Sequence, residues 1–168
     1  MHPSLVETKQ AVFWIDQLDN TTKEPFALTG SKQTDLVIIG GGFTGLWTAL
    51  LASEANPGRK IIILESETVG YGASSRNGGF CDASLTHGLE NGVSHWPKEM
   101  PTLVRLGREN LKGIVETTER HNIDCDIEKT GEINVAVKQW QVEQLLQSAN
   151  LAKSFGGDVQ LLDSSAVK

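Results

Sequence analysis

The sequence is poor in cysteine, in basic residues and in long apolar runs, and each deficit excludes a class of protein. Its two cysteines, Cys81 and Cys125, lie far apart and form neither a CxxC pair nor a disulfide framework. The four histidines show no ligand spacing either, so we expect no metal site. With 15 basic against 21 acidic residues the net charge is -6, which argues against a nucleic-acid-binding surface.

Long apolar runs are missing as well. No stretch approaches the roughly twenty apolar residues of a membrane span. The start, MHPSLVETKQ, has no basic segment followed by an apolar core, so we predict no secretory signal and a cytoplasmic protein. A hydrophobic content of 39% with 21% charged residues is ordinary for a globular protein, and 168 residues can bury one sizeable core or two small lobes.

The most informative stretch is DLVIIGGGFTGLWTALLASEANPGRKIIILE, from Asp35 to Glu65. The β-branched run at 36–39 predicts a buried strand, and residues 44–55 predict a helix after the glycines. A second apolar run at 61–64 predicts another buried strand, which ends at the acid. Strand, glycine turn, helix, strand and acid within about thirty residues is typical of the dinucleotide-binding βαβ unit of Rossmann-like α/β folds.

Each residue of this motif has a physical reason. Gly40 allows the chain to leave the strand in a tight turn, and Gly42 allows the backbone to approach a pyrophosphate at the helix N-terminus. Gly45 allows the helix to lie close to the strands. Glu65, twenty residues after Gly45, can accept hydrogen bonds from a ribose diol and disfavours the 2′-phosphate of NADP. The alternative is an ordinary glycine turn with a solvated glutamate at a strand end.

A glycine-rich loop, residues 66–82, follows the second strand with the sequence SETVGYGASSRNGGFCD. It leaves the carboxyl end of that strand, which is the edge of a parallel sheet where ligands bind. Arg76 could offset phosphate charge, and Asn77 could offer both a donor and an acceptor. We therefore predict a loop that wraps a ligand, with a flexible surface loop as the alternative.

The remaining chain predicts an amino-terminal arm and a mixed carboxyl-terminal region. Residues 1–34 form the arm, with a short helix over 10–18 and a loop over 19–33; its Phe13-Trp14-Ile15 cluster is expected to anchor onto the body or onto a partner. Further along, the pattern predicts helices over 101–121 and 139–155, a hairpin of strands 126–128 and 132–137, and a strand over 159–162. Residues 83–100 carry no clear pattern. Ser164 or Ser165 would cap a helix that has no residues left, so we expect a truncated domain.

At Gly40–Gly45, Glu65 and the run GYGASSRNGGF the sequence resembles the D-amino-acid oxidase-like FAD-dependent oxidoreductases, whose members include glycine oxidase, sarcosine oxidase and gamma-glutamylputrescine oxidases. The likeness runs from about Phe13 to the end and is strongest over 35–80. It implies FAD rather than NAD as the cofactor. It also implies the amino-terminal part of an FAD-binding domain over 35–100. Residues 101–168 would then be a helical segment and the beginning of an α+β substrate domain that is truncated.

The resemblance implies a set of cofactor contacts but no catalytic residue. By the resemblance, the diphosphate would lie along Gly40, Gly42, Phe43 and Thr44, and the adenosine ribose at Glu65 and Ser66. The phosphates would also contact Ala73 and Ser74, and the flavin end would approach Gly78, Gly79 and Phe80. The predicted cofactor-binding set also includes Gly41, Gly45, Arg76 and Asn77. No cysteine or histidine is placed to indicate a covalent link to the flavin.

The family reaction removes a hydride equivalent from the carbon beside the nitrogen of a small amine or amino acid, and the imine then hydrolyses. In the oxidases of the family O₂ reoxidises the flavin, and another electron acceptor is possible for this chain.

Two alternatives stay open. One is an NAD-linked dehydrogenase, whose glycine turn and acid look the same. The other is a non-catalytic nucleotide-binding fragment, because the FAD-binding domain of this family is completed by later parts of the chain.

Overall fold

The computed structural model describes residues 6–18 and 26–166, which fall into two compact units that divide between Phe80 and Cys81. The first unit contains helix α1 (Phe13–Asp16), strand β1 (Leu36–Ile39), helix α2 (Phe43–Ala55), strand β2 (Ile61–Leu64) and a short 3₁₀ turn at Ala73–Ser75. The second contains helices α3 (Leu89–His95), α4 (Met100–Arg120) and α5 (Gln139–Ser154). The predicted domain boundaries at residues 34 and 100 stay predictions.

The first unit is built on a parallel strand pair with a helix between the strands. Strands β1 and β2 pair in the register Leu36↔Ile61 to Ile39↔Leu64. Both strands have the predicted bounds, and α2 begins one residue before the predicted helix. The side chain of Asn56 accepts the N–H of Gly58 at 3.2 Å and so helps to reverse the chain after α2. The predicted βαβ arrangement is therefore present.

Burial of the strands is less complete than predicted. Ile38 is the buried residue of β1, whereas Val37 is 51% and Ile39 87% exposed. The four residues of β2 are of intermediate burial. The expectation of two buried strands was therefore wrong for most of their length, because α2 covers only part of the surface that these two strands present.

Gly45 is the point of closest packing between α2 and the strands. A Cβ at this position would lie 2.0 Å from the carbonyl oxygen of Gly40 and 3.3 Å from Cγ2 of Ile38. No side chain fits there, because real carbon atoms do not approach an oxygen so closely. The role predicted for this glycine, close contact between helix and strand, matches the observed geometry.

The second unit is helical in its described residues, and one of its helices was not predicted. Helix α4 matches the predicted helix over 101–121 and α5 the one over 139–155 to within one residue at each end. Helix α3 lies in the region left without assignment and packs against α5. The sequence does not predict this helix because Gly92, in its interior, is a poor helix former. A Cβ at Gly92 would lie 2.4 Å from Sδ of the buried Met100.

The predicted hairpin over 126–137 was wrong, as was the strand over 159–162, because both segments are irregular in the structure. Gly131 does adopt the left-handed conformation expected of a turn, with φ +76°. Alternation is also present, but Ile133, Val135 and Val137 are 66–86% exposed. Alternating apolar residues favour a strand only where another strand supplies hydrogen-bond partners, and among the described residues none does so here.

The two ends of the described chain also correct the sequence analysis. Helix α1 spans only four of the nine residues predicted as helix, since so short a segment has too few internal hydrogen bonds to extend itself. Residues 1–5 and 19–25 of the predicted arm lie outside the described residues. At the other end Asp163, rather than either serine after it, acts as the cap: its Oδ1 accepts the N–H groups of Ser165 at 2.9 Å and Ala166 at 3.0 Å. None of the helices in the described ranges combines the length and the apolar character that a membrane span requires.

Gly45→Ala is expected to destabilise the chain by about 1–3 kcal/mol, because the new methyl group must push α2 away from Gly40. The matched control is Gly113→Ala in α4, where a Cβ meets nothing within 4 Å. That change should stabilise by about 0.5–1 kcal/mol, the helix-propensity difference between the two residues. Urea unfolding followed by circular dichroism measures both, and equal effects of the two substitutions would refute the packing role of Gly45.

Candidate cofactor site

The amino terminus of α2 lies at the carboxyl end of the strand pair. Gly40 leaves β1 with φ +101°, a conformation that favours glycine, while its N–H still donates to the carbonyl of Leu64 at 2.7 Å. In the part of the chain that the structure describes, the N–H groups of Gly42, Thr44 and Gly45 have no acceptor. Unpaired N–H groups at the positive end of a helix attract an anion.

Glu65 folds back from the end of β2 onto this turn. Its Oε2 accepts the N–H of Gly41 at 2.6 Å, and its Oε1 accepts the N–H of Glu67 at 3.1 Å and the hydroxyl of Ser66 at 3.3 Å. The N–H of Gly41, followed by that of Glu67, lowers the pKa of the Glu65 carboxyl below its ordinary value. The side chain is therefore ionised at neutral pH and joins the second strand to the glycine turn.

The glycine-rich loop returns to the same turn at two points. The hydroxyl of Ser74 accepts the N–H of Phe43 at 2.9 Å, and the N–H of Gly70 donates to the carbonyl of Gly41 at 3.0 Å. A Cβ on Gly42 would lie 2.9 Å from the same hydroxyl oxygen, so only glycine leaves room for this approach. Three separate segments thus converge at the start of α2, and each of them contains predicted site residues.

Arg76 and Asn77 hold the loop itself in this structure. The guanidinium of Arg76 lies 4.9 Å from the ring centroid of Tyr71, and its Nη1 donates to the carbonyl of Gly72 at 3.0 Å. The side chain of Asn77 donates to the carbonyl of Ser74 at 2.7 Å and accepts the N–H of Gly79 at 2.9 Å. Their predicted contacts with a ligand stay predictions, and their visible role is to fix the course of the backbone.

Two further residues of the loop, Phe80 and Ser75, differ in their exposure. Phe80, predicted near the flavin, is 98% exposed at the end of the first unit. Ser75 lies between two residues of the predicted site but is not among the residues that the sequence predicts. It is only 6% exposed, and its hydroxyl has no hydrogen-bond partner among the described residues. The sequence offered no signal for this, because a serine between another serine and an arginine reads as a surface residue.

A model of the family described as FAD dependent oxidoreductase matches residues 35–168. The chain belongs to this family. The match begins at the residue before β1, so it includes the glycine turn, Glu65 and the whole glycine-rich loop. The resemblance inferred from the sequence is confirmed, and it supports FAD as the cofactor through membership of the family.

Two curated relatives match most of the chain. The gamma-glutamylputrescine oxidoreductase of Escherichia coli (strain K12) is 34% identical over 149 residues, which cover 86% of this chain and 34% of that protein. The probable oxidoreductase OrdL of Haemophilus influenzae is 32% identical over 148 residues, covering 84% of this chain and 33% of that protein. The chain thus spans about one third of the length of these relatives. No solved structure matches the chain significantly.

The residues at the turn fit the dinucleotide that the family implies. Two phosphates need N–H donors and a backbone that they can approach closely, and the glycine turn offers both. A Cβ on Gly41 or Gly42 would fill the space in front of Glu65 or Ser74, so glycine at these positions keeps that space open. An adenosine ribose needs an acceptor for its diol, which the ionised carboxylate supplies.

By contrast, a surface cavity of about 520 Å³ bounded by Thr34 and Lys60 lies at the amino ends of the strands, away from the edge where parallel sheets bind ligands.

The Glu65 carboxyl should titrate below its ordinary pKa in the folded chain and return to that value when urea unfolds it. Carbon-13 NMR of the labelled side chain measures both. Because the folded pKa is depressed, the bond to Gly41 stabilises the fold above the unfolded-state pKa and is lost as the pH falls through the folded pKa. Glu65→Gln should therefore remove this part of the acid sensitivity, and identical titration of the folded and unfolded chains would contradict the bond.

Proposed function

We propose that this chain carries the adenine-dinucleotide end of the FAD site of an oxidoreductase that oxidises the C–N bond of a small amine or amino acid. One observation supports it above the others: unpaired N–H groups, the Glu65 carboxylate and the Ser74 hydroxyl converge at the carboxyl end of a parallel strand pair. The substrate class follows from similarity, since a relative 34% identical over most of this chain is named for gamma-glutamylputrescine.

Each segment has a distinct role in this proposal. The N–H groups of Gly42, Thr44 and Gly45 hold the diphosphate, and the close approach of the backbone excludes water from it. Glu65 accepts the hydroxyl groups of the adenosine ribose through Oε1, the oxygen that does not accept the N–H of Gly41 and that faces Ser66 and Glu67. When bound, FAD supplies the hydride acceptor for amine oxidation, and O₂ or another acceptor then removes the electrons.

The cofactor positions predicted from the sequence all belong to this proposal. Those at the turn and at the end of β2 are Gly40, Gly41, Gly42, Phe43, Thr44, Gly45, Glu65 and Ser66. Those in the loop are Ala73, Ser74, Arg76, Asn77, Gly78, Gly79 and Phe80. Arg76 and Asn77 enter as residues that shape the loop, because their polar groups already bond to its backbone.

The family match bears differently on the two alternatives drawn from the sequence. An NAD-linked dehydrogenase is not favoured, because the matching family is FAD dependent. A nucleotide-binding role without turnover applies to the 168 residues taken alone, which span about one third of the relatives. Amine oxidation is accordingly proposed for the whole protein, and cofactor binding for this chain.

Glu65→Ala should weaken the binding of FAD by roughly tenfold, because the hydroxyl donors of the ribose lose their charged acceptor. Isothermal titration with ADP should show the same loss, since ADP carries the same adenosine ribose and two phosphates. FMN has no adenosine ribose, so any affinity for FMN should be unchanged.

Glu67→Ala is the matched control for this substitution. It removes a neighbouring carboxylate of equal charge and keeps the backbone N–H that donates to Glu65. An equal loss of ADP affinity in the two variants would indicate a general charge effect and refute the ribose role. Tighter binding of NADH than of FAD by the unaltered chain would reverse the choice of cofactor.

A further inference from the structure

Trp14 connects the amino-terminal helix to the glycine-rich loop. Its indole Nε1 donates to the carbonyl oxygen of Asn77 at 2.9 Å, a contact between residues 63 positions apart. The ring of the same residue also lies against Gly79, where a Cβ would come within 2.6 Å and 2.8 Å of two ring carbons. The indole N–H and the ring carbons of one side chain thus contact two residues of the loop.

The loop is shaped to accept this contact. Gly79 has φ +80°, a backbone conformation that side chains disfavour, and its bare α-carbon lets the indole approach. Asn77 continues the connection through its side chain, which bonds the carbonyl of Ser74 and the N–H of Gly79. Through Gly79, the contact therefore acts on the part of the loop that the family resemblance assigns to the flavin end.

Helix α1 depends on the loop for its position in turn. With four residues it has too few internal hydrogen bonds to be stable alone. Phe13 packs edge-on against the indole at 5.0 Å between ring centroids, and Lys9, which precedes the helix, pairs with Asp16, its last residue. Trp14 is half-buried, whereas Phe13 is 62% exposed, so the indole is the aromatic group that docks.

The family match begins at residue 35, so the segment that carries Trp14 lies outside it. We propose that Trp14 is a positioning residue for the cofactor, holding residues 77–79 in the conformation that receives the flavin half of FAD. The amino-terminal arm is then a working part of the site. This inference rests on the proposed function, because it requires FAD to bind beside the loop.

The test uses the 168-residue chain with Trp14→Ala, which removes ring and donor, and Trp14→Phe, which keeps a ring but removes the N–H. The matched control is Trp140→Ala, which removes a tryptophan that is 61% exposed and lies in the other compact unit. Hydrogen exchange of the cofactor-free chain reports on the amides of residues 77–80. Titration calorimetry reports the affinities for FAD and for ADP, which lacks the flavin half.

Trp14→Ala should speed exchange at Gly79 and weaken FAD binding by about threefold to tenfold, the range expected for one partly exposed hydrogen bond. The affinity for ADP should change less than twofold. Trp14→Phe should give a smaller loss in the same direction, and Trp140→Ala should match the unaltered chain in both measurements.

Three results would overturn the inference while leaving FAD binding in place. The first is unchanged amide exchange in Trp14→Ala. The second is faster amide exchange with unchanged FAD affinity. The third is an equal loss of FAD and ADP affinity, which indicates general loosening of the structure. Failure of the unaltered chain to bind either FAD or ADP would instead refute the proposed function and this inference with it. Because hydrogen exchange is measured without cofactor, it would show even in that case whether Trp14 orders the loop.

Discussion

The contact between Gly45 and the carbonyl of Gly40 is the constraint on which the candidate site depends. Because an added Cβ would lie 2.0 Å from that oxygen, the first turn of α2 sits directly on the turn that leaves β1. This closeness fixes the direction of the N–H groups at the start of the helix. A side chain at residue 45 would tilt the helix and move its positive end away from the edge of the strands.

The site is assembled around this fixed helix end by acceptors that arrive from elsewhere. Glu65 reaches the N–H of Gly41 from the end of β2, and Ser74 reaches the N–H of Phe43 from the loop. Asn77 then continues the loop, and Trp14 connects it to the arm. Each link joins a side chain to the backbone, so the arrangement specifies where the main chain runs and leaves several N–H groups of the turn for a ligand.

The sequence predicted the parts of this arrangement that depend on local spacing. Strands β1 and β2, helix α2 and the placement of Glu65 follow from β-branched runs and glycine offsets, and α4 and α5 follow from helical periodicity. The hairpin over 126–137 failed because alternation does not supply a partner strand. The engagement of Arg76 and Asn77 within their own loop was missed for a different reason. Residue type gives the capacity of a side chain to bond, whereas the partner depends on backbone conformation, and the contact of Trp14 with residue 77 has no local signal at all.

The irregular segment at 132–137 has a consequence for how the chain behaves in concentrated solution. It exposes three apolar side chains, Ile133, Val135 and Val137, and the side chain of Asn134 donates to that of Glu132 at 2.9 Å. In the described structure its backbone pairs with no neighbouring strand. An unpaired segment that exposes alternating apolar residues is prone to form β-structure with a second molecule. The net charge of -6 opposes that self-association at low ionic strength, so added salt should favour aggregation of the chain through this segment.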